Sequence, residues 1–214
     1  RVGLILSHFA CSPEAAHPLN AAHLKRFQAA RALAPNIPAS LCNSGGIYLP
    51  REFHFNLARP GCSLYGIAAQ SRESLVVSRK LNPHHSRLTT HDSLQQVATW
   101  HAPILATRTL EREQTVGYGA TQTLPKGSRI ATVASGYADG YLRHASRHAV
   151  GYVGAHKVPL VGRVTMDMLC FDVSHVPEAM LHDGAPITLL GDADGIRVDD
   201  VAAAAETIGY EVLT

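Results

Sequence analysis

Val2-Gly3-Leu4-Ile5-Leu6-Ser7-His8 opens the chain as an apolar run ending in two polar residues. From Pro18 to Leu33 the apolar residues Leu19, Ala22, Phe27, Ala30 and Leu33 then recur near helical spacing. A strand over Val2 to His8 and a helix over Pro18 to Leu33 are expected, with short strands at Ala39 to Asn43 and His54 to Arg59. Strands separated by helices pair in parallel, and such folds gather ligands at the C-terminal ends of their strands. Each strand candidate ends in polar or glycine-rich residues: Ser7-His8, Asn43-Ser44-Gly45-Gly46 and Arg59-Pro60-Gly61.

Between about Ala69 and Gln96 the composition turns polar and loses periodicity, with Asn82-Pro83 and His84-His85 among its residues, as in a linker or an insertion. Closely spaced strand candidates follow at Ala98 to Leu110, Arg129 to Ser135, His148 to Val153, Val158 to Val164, Met168 to Val173 and Ile187 to Leu190. Turns such as Pro125-Lys126-Gly127 and His182-Asp183-Gly184 separate them, which points to an all-β second domain. A closing helix is expected over Val201 to Ile208, capped by Asp199 or Asp200 and stopped at Gly209. The division is therefore 1–70, an α/β part; 71–96, a linker or insertion; and 97–214, a β-rich domain.

With 214 residues and 46% hydrophobic content, the composition is that of a globular protein. A formal charge of +2 without any Lys or Arg run argues against nucleic acid or a membrane surface as partner. Cys11, Cys42, Cys62 and Cys170 lie far apart with no C-x-x-C pair, a usage that fits a reducing, cytoplasmic setting. No apolar run reaches the ~18–20 residues of a membrane span. The thirteen histidines show no metal-ligand spacing, so no metal is expected. The chain begins and ends inside apolar runs, and it is expected to be an internal piece of a longer protein.

Three glycine-hinged segments deliver polar groups: Val116-Gly117-Tyr118-Gly119-Ala120-Thr121, Gly136-Tyr137-Ala138-Asp139-Gly140-Tyr141-Leu142-Arg143 and Val161-Gly162-Arg163-Val164-Thr165-Met166-Asp167. Glycine lets a backbone turn sharply or approach a ligand, as in a site assembled from loops. Tyr118 stands between two glycines, which can present its hydroxyl to a ligand. A phenol with its ordinary pKa near 10 transfers protons at neutral pH only when its surroundings lower that value; the alternative is a hairpin tyrosine packed on a barrel rim. Ser44, Gly45 and Gly46, with Gly61 and Cys62, offer N–H groups and a hydroxyl suited to a phosphate, or else form two ordinary turns. Arg59 is either a site group that meets an acceptor or a solvated rim charge. His8 reads alone as a hydrogen-bonded core histidine, and Asp139, Arg143, Arg163 and Asp167 read equally as structural ion pairs.

Ser7-His8-Phe9-Ala10, Asn43-Ser44-Gly45, Arg59-Pro60-Gly61 with Leu64-Tyr65-Gly66, and the three glycine-hinged segments occur in the order and approximate spacing of the alanine racemases. The chain resembles that family over nearly its whole length. The resemblance implies the last strands of a (β/α)8 TIM-type barrel holding pyridoxal 5'-phosphate, followed by a mainly β C-terminal domain. It also implies interconversion of L- and D-alanine in a cytoplasmic homodimer with sites shared between subunits, supplying D-alanine for peptidoglycan or serving D-alanine catabolism.

By matching motif, Tyr118 resembles the catalytic tyrosine, which reaches the partner subunit's cofactor and exchanges the α-proton on one substrate face. Arg59 resembles the arginine on the pyridine nitrogen. A guanidinium is always a donor, so it keeps that nitrogen unprotonated and favours racemisation over transamination. His8 resembles the histidine linking this arginine to the tyrosine. Ser44, Gly61 and Cys62 match phosphate-binding positions, with Asn43 beside them. Met166 matches the residue whose amide meets the substrate carboxylate, followed by Asp167, while Tyr137, Arg143 and Arg163 match the entrance corridor.

The sequence also departs from the pattern. None of Lys25, Lys80, Lys126 or Lys157 occupies a motif like that of the cofactor-bearing lysine, so these 214 residues alone are expected to be inactive. Cys62 stands where an aliphatic residue is commoner, and the 69–96 segment is longer and richer in His. A related serine or basic amino-acid racemase, and a non-catalytic dimerisation module derived from one, are the rival readings.

Overall fold

A computed structural model describes residues 2–70, 94–191, 193 and 195–214, and the backbone alone of Arg147. Lys80, Asn82-Pro83, His84-His85 and most of the expected linker lie outside the described residues. Two compact units divide the chain, Arg1–Gln95 and Gln96–Thr214.

In the first unit, strand β1 (Ile5–Leu6) pairs in parallel with β2 (Ala39–Ser40) across helix α1 (Pro18–Ala32). The strand expected over Val2 to His8 shrinks to Ile5–Leu6, because only these two residues have a paired neighbour; Val2 is 63% exposed. Helix α1 lies where the periodicity puts it, starting with Pro18 at its first turn and the His17 ring accepting the Leu19 N–H. Its buried side differs from expectation. Phe27 and Asn20 face inward with half-buried Leu24, while Leu33 is 89% exposed. Phe27 meets Phe55 edge-on at 4.9 Å, and the Asn20 amide donates to the carbonyls of Cys11 (3.3 Å) and Glu14 (2.9 Å), tying the 11–15 loop to the helix.

His54 to Arg59 forms no strand. Phe55 sits at φ +53° and turns the chain so that its ring reaches α1, and Asn56 and Leu57 donate instead to the carbonyl of Ala39. Only Arg59 pairs, as an isolated parallel bridge to Asn43. This bridge sets Arg59 beside Asn43 past the end of β2.

The second unit is built on a six-stranded sheet of β3 (Trp100–Thr109), β6 (Arg129–Val133), β7 (Val150–Val153), β8 (His156–Pro159), β9 (Leu169–Asp172) and β10 (Pro186–Leu190). Its order is β8-β7-β10-β3-β6-β9, with antiparallel pairing throughout. An antiparallel bridge between Leu160 and Phe171, with the Val161 N–H on the Cys170 carbonyl (2.8 Å), joins the two edges and nearly closes the sheet into a barrel. Ile104, Val133, Val158, Leu169, Phe171, Ile187 and Leu189 fill the interior.

A small antiparallel hairpin, β4 (Gln114–Val116) and β5 (Gln122–Leu124), carries Tyr118 as the hairpin reading of that residue expects, although its strands were not among the strand candidates. It is pinned by Val116 and Leu124, which join Leu110, Ile130 and Val161 in a cluster of their own; full burial of such a side chain stabilises by roughly 1.5–3 kcal/mol. Two helices close the unit, α2 (Val198–Ala204) and α3 (Gly209–Val212). The helix thus begins at Val198 rather than Val201, and Gly209 starts α3 rather than stopping α2. The Asp200 carboxylate reaches back to the N–H groups of Gly195 (3.1 Å) and Arg197 (3.2 Å), and the Gln96 carbonyl takes that of Val198 (3.0 Å).

Candidate functional site

In the first unit one hydrogen-bonded chain joins residues far apart in sequence. Arg59 donates through Nη1 to the Ser40 hydroxyl and through Nη2 to the Ser7 carbonyl (2.7 Å), with His8 Nδ1 at 3.5 Å from the same nitrogen. The other ring nitrogen of His8 lies 3.2 Å from the Asn43 amide nitrogen. Asn43 Oδ1 accepts from Ser12 Oγ (2.8 Å) and from the Gly46 N–H (2.9 Å), which fixes the amide with its NH2 toward the imidazole. His8 is therefore flanked by two donors, and a neutral imidazole, with one acceptor nitrogen, satisfies one of them. His8 is exposed, not the core histidine that its place after an apolar strand suggests.

Beside this chain the buried Ser44 hydroxyl accepts the Gly61 N–H (2.7 Å) and keeps its own proton for another acceptor. Only Ser44 Oγ, at 3.9 Å, lies near the place of a Gly61 side chain, so the space over this turn is open. The short 3-10 turn Cys62–Tyr65 starts here without a side-chain cap, and its first N–H groups, those of Cys62 and Ser63, have no acceptor among the described residues. The Cys62 side chain is buried, so this residue offers its backbone alone. Burial pushes the Cys42 thiol up to about 12 against the opposing charge of Arg59.

The second unit brings the three glycine-hinged segments together by backbone contact. Tyr118 sits between Gly117 (φ +73°) and Gly119 (φ +75°) in the hairpin loop and is 74% exposed. A Cβ on Gly162 would lie 2.8 Å from the Val116 carbonyl, and one on Gly119 would lie 3.2 Å from the Arg163 guanidinium. Gly136 packs still closer: a Cβ there would fall 2.3 Å from the Met166 carbonyl oxygen. The N–H groups of Tyr137 and Ala138 donate to the carbonyls of Thr165 (3.0 Å) and Met166 (2.9 Å). Thr165 Oγ1 closes the turn by accepting the Met168 N–H (3.1 Å), which leaves the Met166 and Asp167 N–H groups without acceptors among the described residues.

Ser146 links the Arg143–Arg147 turn to this loop, donating to the Arg143 carbonyl (2.5 Å) and accepting the Val164 N–H (3.0 Å). Asp139 uses its carboxylate on the Gly136 N–H (2.9 Å). No ion pair of Asp139, Arg143, Arg163 or Asp167 occurs among the described residues, so the structural-pair reading of these four is set aside.

Each residue singled out in the sequence thus has a place: His8, Asn43, Ser44, Arg59, Gly61 and Cys62 in one cluster, and Tyr118, Tyr137, Arg143, Arg163, Met166 and Asp167 on the docked loops. Ser12, Ser40, Gln122 and Ser146 were missed. Among the described residues no group of His, Cys, Asp and Glu is placed to hold a metal ion, and no helix is long and apolar enough to cross a membrane.

The family model for the alanine racemase N-terminal domain matches residues 1–69, and that for the alanine racemase C-terminal domain matches residues 97–214. The chain belongs to the alanine racemase family. Alanine racemase of Rhodospirillum rubrum is 45% identical over 211 residues, covering 99% of this chain and 51% of that protein. That of Rhizobium meliloti is 41% identical over 222 residues, covering 99% and 54%. A crystal structure of the Bartonella henselae alanine racemase with covalently bound pyridoxal phosphate superposes with a TM-score of 0.81 at 31% identity, covering 99% of this chain and 54% of that one. The biosynthetic alanine racemase of Pseudomonas aeruginosa gives 0.79 at 35% identity, covering 98% and 53%. The chain spans about half the length of the relatives it matches. The first unit is part of the alanine racemase barrel, and the second is its mainly β domain.

Proposed function

We propose that this chain is part of a pyridoxal-phosphate-dependent racemase that interconverts L- and D-alanine. The observation that carries the reading is the Arg59–His8–Asn43–Ser12 chain lying beside the Ser44–Gly61 cradle at the ends of β1 and β2. The donor set fits the cofactor: the Ser44 hydroxyl and the free Cys62 and Ser63 N–H groups suit a phosphate, and Arg59 suits a heterocyclic nitrogen acceptor. Once bound, pyridoxal phosphate supplies the electron sink that acidifies the substrate α-carbon.

The protein's own groups supply the rest. Arg59, held by Ser40 and Ser7, donates and never accepts, so its acceptor stays unprotonated. His8 stands against Arg59 and links it to the partner subunit's tyrosine. Asn43 accepts from Ser12 and Gly46 through Oδ1, which turns its NH2 toward His8 while the residue stands beside the phosphate positions. Tyr118 moves the α-proton on one face of the substrate at the partner subunit's site in a homodimer. The free Met166 N–H receives the substrate carboxylate, with Asp167 next to it, and Tyr137, Arg143 and Arg163 shape the entrance. None of Lys25, Lys80, Lys126 and Lys157 lies in a motif like that of the cofactor-bearing lysine, which supports the reading that the 214 residues alone do not racemise alanine. The reaction supplies D-alanine for peptidoglycan or serves D-alanine catabolism, in the cytoplasm.

Exchange of the alanine α-proton with solvent deuterium, followed separately from the L and D enantiomers in the intact protein, tests this reading. Tyr118→Phe should lower exchange from one enantiomer by about 10²–10⁴-fold, the usual share of a general acid–base group, and the other far less. Unchanged exchange from both would end the proposal.

A further inference from the structure

Among the described residues the Tyr118 side chain makes no hydrogen bond and is 74% exposed, so the backbone that carries it sets its position. That backbone is a five-residue loop closed by the Val116–Gln122 pair, with Gly117, Gly119 and Ala120 at φ +73°, +75° and +46°. It rests on residues 162 and 163 by van der Waals contact, which sets distance but not register. One directional bond joins the hairpin to that segment among the described residues: Gln122 Oε1 accepts the N–H of buried Gly162 at 3.0 Å. Gly162 N–H has no other acceptor there.

We infer that Gln122 is a positioning residue for Tyr118, its side-chain carbonyl clamping the hairpin to the Gly162–Arg163 segment. This rests on the proton-transfer reading of Tyr118 above. Without the clamp the Gly162 N–H is buried and unpaired, and van der Waals contact alone holds the loop over Gly162 and Arg163. A displacement of about 1 Å at a proton-transfer group is enough to cost roughly 10²-fold in rate.

The test uses Gln122→Leu, which removes the acceptor, and Gln122→Glu, which keeps an oxygen in the same place. Two readouts are followed: amide hydrogen exchange at Gly162 without substrate, and deuterium exchange from L- and D-alanine by the intact protein loaded with pyridoxal phosphate. Gln122→Leu should speed exchange at Gly162 by roughly tenfold or more. It should lower α-proton exchange by about 10–10²-fold on the face that Tyr118→Phe abolishes, with Gln122→Glu recovering most of both. If Gln122→Leu fails to fold, Gln122→Met carries the same readouts.

Unaltered Gly162 exchange, or an equal fall on both faces, overturns the inference. A loss in Tyr118→Phe without one in Gln122→Leu overturns it too, while the functional reading stands. No loss in Tyr118→Phe overturns the functional reading and with it any part of Gln122 in proton transfer; the Gly162 exchange, which needs neither cofactor nor substrate, then upholds or overturns the clamp by itself.

Discussion

Tyr141 is 2% exposed, its ring stands edge-on to Trp100 at 5.9 Å between centroids, and its hydroxyl meets no partner among the described residues. Burial pushes this phenol well above its ordinary pKa. A buried polar group without a hydrogen bond carries a penalty of about 1–3 kcal/mol. Tyr141→Phe keeps the ring and removes the cost, so it should leave stability unchanged or raise it by up to about 1 kcal/mol in urea denaturation. A loss of that size would mean the hydroxyl is paired. The same residue scale shows what a sequence discloses. Tyr118 and Arg163 could be singled out because each stands beside a glycine that the chain path requires, whereas Met166 was singled out by its motif alone. Ser12, Ser40 and Gln122 were not: their partners lie 31, 19 and 40 residues away, and a serine or glutamine has many local uses.

Among the elements, the 136–141 turn and the 165–168 loop act as one body because their backbones touch. Gly136→Ala would put a methyl group inside the Met166 carbonyl, and the loops must separate to admit it. The variant should lose stability at the upper end of the about 1–3 kcal/mol typical of overpacking, and urea denaturation at an unchanged midpoint would refute the contact. Alternating apolar residues made β3, β6, β9 and β10 readable within a few residues. The strands of the β4–β5 hairpin were missing from the candidates because each has three residues and a single buried apolar side chain, too few for a period. The false strand at His54 to Arg59 has the right composition, but the left-handed turn at Phe55 serves the aromatic packing on α1.

For the whole molecule, burial raises the acids Cys42, Tyr48, Tyr141 and Cys170 above their ordinary values, Cys42 to about 12. Each keeps its proton when folded at a pH where the unfolded chain has lost it. The stability they support is complete below the unfolded thiol value near 8.5 and drains away as pH climbs toward the folded values. The denaturation midpoint should therefore fall steadily above pH about 8.5, and Cys42→Ala should flatten that decline; an equally steep decline in the variant would show that the Cys42 thiol takes no part. Closure of the six-stranded sheet through Leu160 and Phe171 could not be read from the strands, since it depends on how far the whole sheet coils.

The glycines at 117, 136 and 162 fix a route through space that neighbouring backbone has already hemmed in, whereas the exposed side chains of Tyr118, Tyr137, Arg143, Arg163 and Met166 stand out from that route with no hydrogen bond or ion pair among the described residues. Route and cargo are thus encoded at alternating positions of the same short segments. Over evolutionary time such a protein can exchange what its loops present, one substitution after another, without renegotiating the path that presents it.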